Sequence, residues 1–112
     1  MNLLVVVVND RDHVQDVVEA MLEINARGLT AINTESLVHL CVREAPIFAG
    51  LRQLVTEPET DNRTVFGIVD DASALDELER VLNGVALSLR RPGLGMGFCM
   101  PLSAAMLPDE TD

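Results

Sequence analysis

The chain alternates short apolar runs with amphipathic stretches, and their order predicts β-α-β-β-α-β. Leu3 to Val8 (LLVVVV) is unbroken by any polar residue and mostly β-branched. A run of this kind fits a strand that is central in its sheet, or apolar on both faces. Asn9-Asp10 ends it. Asp12 and Gln15 have the spacing of a capping box. Val14, Val17, Val18, Met21 and Leu22 then recur at helical intervals, with Asp16, Glu19 and Glu23 among the polar positions. Gly28 is the expected stop of this first helix. Leu29 to Val42 reads as a second strand with a polar interruption at Asn33–Ser36. Pro46 opens a short helical candidate carrying Ile47, Phe48, Leu51, Leu54 and Val55, and Thr56 to Asn62 reads as an exposed acidic loop. Thr64 to Val69 is a third strand, ended by Asp70-Asp71. Ser73 with Asp76 opens a second helix with Leu75, Leu78, Val81 and Leu82 inside and Gly84 near its end. Val85 to Leu89 reads as a brief strand or a loop, and Gly97 to Leu102 as the fourth strand.

This order predicts an α+β fold of the ferredoxin-like kind: an antiparallel four-stranded sheet with two helices on one face. Such a sheet leaves its second face uncovered, and an apolar second face calls for a partner surface. Residues 1–104 are read as the single domain and 105–112 as a loose acidic tail. A fold this common carries no function by itself.

Composition narrows the classes. The length of 112 residues fits one domain, and 48% hydrophobic with 23% charged residues is a globular balance. All eight basic residues are arginine, against 18 Asp and Glu, for a net charge of −10. So acidic a domain repels phosphate backbones and anionic lipid, so no nucleic acid and no membrane insertion are expected. The lack of lysine removes Schiff-base chemistry and the P-loop lysine. Cys41 and Cys99 make neither a disulfide framework nor a zinc spacing. The N-terminal apolar run is too short to span a membrane and has no basic flank or cleavage site, so a cytoplasmic protein with reduced thiols is expected.

Arg90-Arg91-Pro92-Gly93-Leu94-Gly95 is the best candidate site. Glycines let backbone N–H groups approach an anion closely, and two adjacent arginines add charge. The plainer reading is a glycine-rich turn with two solvated arginines. His39 and Cys41, two apart, face the same way on a strand, and with His13 or Cys99 they are candidate soft-metal donors. Simple packing of a cysteine and a lone histidine is the stronger reading, and no metal is expected. Asp70-Asp71 and the Glu57/Glu59 pair sit beside turn and cap signals, where carboxylates bind backbone N–H groups. No catalytic residue is assigned, and no enzyme activity is expected.

Four pieces of the sequence occur together in order. They are the N-terminal strand, Gly28-Leu29-Thr30, a long excursion between the second and third strands, and PGLGMGFCMPL entering the last strand. The combination resembles the PII-like signalling proteins from Leu3 to Leu102. APIFAGLRQLV followed by NRTVFGIVDD is similar to a divergent, short-looped branch of that superfamily. The resemblance implies a homotrimer with inward-facing sheets, a small-molecule effector in clefts between subunits, and a regulated protein partner. It places Arg90, Arg91, Gly93, Gly95, Thr30 and Asn33 at the ligand cleft, and Phe48, Leu51 and Arg52 at the partner surface. It also implies an eroded ATP site. Met96 stands where the family has a phosphate-gripping lysine, Asn33 stands where it has a threonine, and Ser103 to Leu107 carries no arginine. No cofactor is named. The alternatives are a small ferredoxin-like oligomeric enzyme and an ACT-type metabolite-binding module.

Overall fold

The computed structural model describes residues 1–35 and 61–108. Strand β1 spans Asn2–Val8, helix α1 Val14–Glu23, β2 Arg27–Glu35, β3 Asp61–Val69, α2 Ser73–Asn83 and β4 Gly95–Pro101. A short 3₁₀ turn, Arg11–His13, leads into α1. The candidate helix after Pro46, the acidic loop, His39, Cys41 and the partner-surface residues Phe48, Leu51 and Arg52 lie outside the described residues.

The four strands form one antiparallel sheet in the order β2-β3-β1-β4. The architecture is α+β, and its strand order and helix packing are compatible with a ferredoxin-like arrangement. β1 is central, one of the two placements that its unbroken apolar run allowed. Residues directly opposite on antiparallel strands share a face. The rows Leu4–Gly67–Cys99 and Val6–Val65–Gly97 therefore belong to one face. There Leu4, Val6, Val8, Val65 and Val69 meet Val17, Ala20 and Met21 of α1 and Ala74, Leu78 and Leu82 of α2 in one buried cluster. Both helices thus cover the same side of the sheet.

The other face carries the rows Leu3–Ile68–Met100, Val5–Phe66–Phe98 and Val7–Thr64–Met96, with Ile32 beside Thr64. No described element covers it. Met96 is 58% exposed, Ile32 47%, Met100 40% and Phe98 39%, which is unusual for a contiguous set of large apolar side chains on a lone surface.

Local signals moved by a few residues. Asp10, not Asp12, starts the first helical segment, its carboxylate accepting the Asp12 N–H at 2.9 Å. Gln15 Nε2 instead donates along the helix to Glu19 Oε1 at 3.1 Å. Helix α1 ends before Gly28. Asn25 turns the chain at φ +66°, a conformation asparagine tolerates, and Gly28 already lies in β2 at an irregular step in the register. Asp71 caps the approach to α2, its Oδ1 accepting the Ser73 N–H at 2.8 Å and the Ser73 hydroxyl. Gly84 closes α2, its N–H donating to the carbonyls of Arg80 and Val81. Val85 to Leu89 forms turns rather than a strand.

Candidate functional site

Two features surround β4: the Gly-rich turn that enters it and the open sheet face it helps to build. The turn follows from Pro92-Gly93. Proline presets the first central position and glycine supplies the positive φ of the second, here +87°. The Leu94 N–H closes the turn on the Arg91 carbonyl at 3.3 Å. Asn9, just past the end of β1, anchors it: the Asn9 N–H donates to the Leu94 carbonyl at 3.0 Å and Asn9 Nδ2 to the Gly93 carbonyl at 2.9 Å. Gly95 continues at φ +148°, where a Cβ would stand 2.0 Å from the Val7 carbonyl oxygen. Only glycine lets β4 lie this close to β1.

The donors of the turn are largely engaged within it. The Arg90 N–H reaches Ser88 Oγ at 3.3 Å, the Arg91 N–H reaches the Ser88 carbonyl at 3.2 Å, and Leu94 closes the turn. Proline has no N–H to offer. The Arg90 guanidinium donates through Nε to Glu79 of α2. That hydrogen bond, with the nearby Glu79 charge, raises the Arg90 pKa above its ordinary value. Arg91 is exposed. Of the two arginines read as anion donors, one therefore already has its charge opposed.

Thr30 and Asn33 lie on β2, at the opposite edge of the sheet from β4. Three strand spacings separate the edges, about 14 Å. Thr30 and Asn33 also lie on opposite faces of β2, since their partners are Phe66 and Arg63. Thr30 Oγ1 donates to the Gly28 carbonyl at 3.1 Å. Within one protomer the structure brings Arg90, Arg91, Gly93 and Gly95 together and keeps Thr30 and Asn33 apart from them, so a shared cleft requires a neighbouring chain.

His13 Nε2 lies 3.8 Å from Asp10 Oδ2, and Cys99 Sγ accepts a weak bond from Asn2 Nδ2 at 3.6 Å. No group of three or more His, Cys, Asp or Glu side chains among the described residues is placed to hold a metal ion. No described helix is long and apolar enough to cross a membrane. The Asp70-Asp71 pair divides: Asp70 is exposed beside Arg27, 3.9 Å away, while Asp71 accepts the Ser73 N–H and hydroxyl just ahead of α2. The Ser73 hydroxyl, and then the Ser73 N–H, hold the Asp71 carboxyl below its ordinary value.

Asn9 and Glu79 were not singled out by the sequence reading. Asn9 looks like a strand end, and nothing in linear spacing joins Glu79 to an arginine eleven positions later. The open face did leave a legible signal. Gly95, Gly97 and Cys99 alternate with Met96, Phe98 and Met100, small side chains toward the helices and large ones away. No family model matches the chain, and no curated protein matches it.

Proposed function

We propose that this protein is a non-enzymatic regulatory module of PII-like type, with a ferredoxin-like fold, that works as a homotrimer in the cytoplasm. It senses a small molecule at the boundaries between subunits and acts on a partner protein. The observation that carries the reading is the open sheet face. Met96, Phe98, Met100 and Ile32 are large, apolar and substantially exposed, and Val5, Val7, Phe66 and Ile68 beside them are only half-buried. Burying the exposed part of such side chains contributes about 1 kcal/mol each, enough in aggregate to favour association of like faces. Assembly through that face would also bring the β2 edge of one chain toward the β4 edge of another, uniting Thr30 or Asn33 with the Gly93–Gly95 turn. The engaged turn donors, the Arg90–Glu79 pair and Met96 in place of a lysine support a ligand other than ATP held in the family manner.

Light scattering tests the assembly. The expected mass is three times 12.2 kDa, and Phe98→Asp on the open face is expected to give a folded monomer. A wild-type chain that is monomeric at micromolar concentration overturns the reading, as does a Phe98→Asp variant that keeps the full assembly.

A further inference from the structure

The helix-covered side of the sheet carries a half-open cleft between α2, the turns that follow it and β4. Leu75, Leu78 and Leu82 of α2, Leu87 and Leu89 of the following turns, and Gly95, Met96 and Gly97 of β4 line a cavity of about 220 Å³; Leu78, Leu82 and Leu87 are buried beneath it, and Leu75 and Leu89 are partly exposed to it. The three glycines that β4 and β3 turn toward this side differ in kind. A Cβ at Gly95 would strike the Val7 carbonyl, and one at Gly67 would stand 2.6 Å from Leu29 Cδ2. At Gly97 the nearest atoms to a Cβ would be Leu75 Cδ1 at 3.5 Å, the Val5 carbonyl oxygen at 3.7 Å and Leu89 Cδ1 at 3.8 Å, all ordinary contacts. Its backbone is also ordinary extended strand. A single methyl group there would just touch Leu75, Val5 and Leu89, and anything larger would press on the two leucines. Gly97 lets Leu75 and Leu89 lie close over β4 without being needed for the backbone conformation.

The rim supplies a polar end of definite sign. Asp76 and Glu79, one turn apart on α2, and Arg90 lie at the mouth with Ser88. Glu79 is hydrogen-bonded by Arg90, whose charge the exposed Asp76 also faces, and the three together leave a rim charge of −1. We propose that this cavity is a binding site for a small primary aliphatic amine, its carbon chain between the leucines and its ammonium on Asp76. Anions are disfavoured by the rim and by the −10 charge of the chain. The site lies inside one protomer, on the opposite side of the sheet from the open face, so it neither rests on the trimer reading nor falls with it.

Amide NMR titrations with hexylamine, hexanol and hexanoate at neutral pH test it. Hexylamine is expected to give saturable shifts in Leu75–Asn83 and Leu87–Arg90, hexanol weaker ones in the same residues, and hexanoate none that saturate. Asp76→Asn, an exposed change that leaves the fold untouched, is expected to weaken hexylamine about three- to fivefold, toward hexanol, the range for a surface charge pair. The proposal is overturned if hexanoate binds as well as hexylamine, or if no saturable shift occurs. It is also overturned if the shifts fall on Phe66, Phe98 and Met100 of the open face, or if Asp76→Asn binds hexylamine as tightly as wild type.

Discussion

Alanine substitutions at Gly93, Gly95 and Gly97 are expected to differ by several kcal/mol although the three positions span only five residues. Gly95→Ala places a methyl group 2.0 Å from the Val7 carbonyl oxygen, where a carbon–oxygen contact needs about 3.3 Å. The neighbouring atom is backbone of the central strand, so the paired strands must separate by about 1 Å. The positive φ of +148° adds about 1–3 kcal/mol for a side chain, and each ladder hydrogen bond weakened adds about 0.5–1.5 kcal/mol. The total is about 3–5 kcal/mol, a large part of the roughly 5–15 kcal/mol that holds a domain folded. Gly93→Ala meets nothing within 4 Å and has only its φ of +87° to oppose it, about 1–2 kcal/mol. Gly97→Ala has neither problem, and removing a glycine from a strand interior is expected to stabilise by about 0.5 kcal/mol. Urea unfolding followed by far-UV circular dichroism, at one fixed protomer concentration because assembly shifts apparent stability, reads the series. A Gly95→Ala variant within about 1 kcal/mol of wild type, or a Gly97→Ala variant less stable than Gly95→Ala, would refute the steric reasoning.

Leu78→Ala removes a side chain that is 1% exposed at the centre of the helix–sheet cluster, and calorimetry or urea unfolding is expected to show a loss of about 2–5 kcal/mol. Asp71→Ala is expected to lower the melting temperature at neutral pH. Because the folded carboxyl titrates below its ordinary value of 3.8, the difference from wild type is full above that pH. It disappears as the pH falls through the lower folded value, and a difference that persists in strong acid contradicts the capping role. Calorimetric titration with ATP and magnesium is expected to show no sub-micromolar binding, since each missing cationic contact removes a charge-assisted hydrogen bond. Replacing Arg90 and Arg91 together with alanine is expected to leave the melting temperature in buffer unchanged, both side chains being exposed. It should also remove any thermal shift that polyphosphate produces, and a surviving shift would put anion binding elsewhere.

Much of the secondary structure was readable because its signals are local. Ser73 opens α2, Gly84 ends it, and its leucines recur at the helical period, so that element lies where those signals put it, although Asp71 rather than Asp76 bonds the Ser73 N–H. Where a local signal had a close competitor, it misled. Gly28 looked like the stop of α1, but Asn25 made the turn first. Gln15 fitted a capping box, yet it bonds along the helix to Glu19. The candidate site was legible only in its contiguous part. Pro92-Gly93 announces a turn on any backbone, whereas the engagement of Arg90 by Glu79 and of the turn by Asn9 joins residues far apart in the chain.

The hydrophobic pattern by itself marked β1 as central or apolar on both faces, marked two helices as amphipathic, and alternated large side chains with small ones along β4; the shared side of the two helices was inferred from element order. Those patterns follow from periods of two and 3.6 residues, which depend only on near neighbours. Strand order and register were decided by tertiary structure. They placed Thr30 and Asn33 on the edge opposite the Gly-rich turn, and they made Gly95 obligatory but Gly97 optional. The same packing of α2 above β4 left a leucine-walled cavity whose rim carries a net negative charge. A linear sequence records none of this, because such distances exist only once the strands are paired and the helices laid across them.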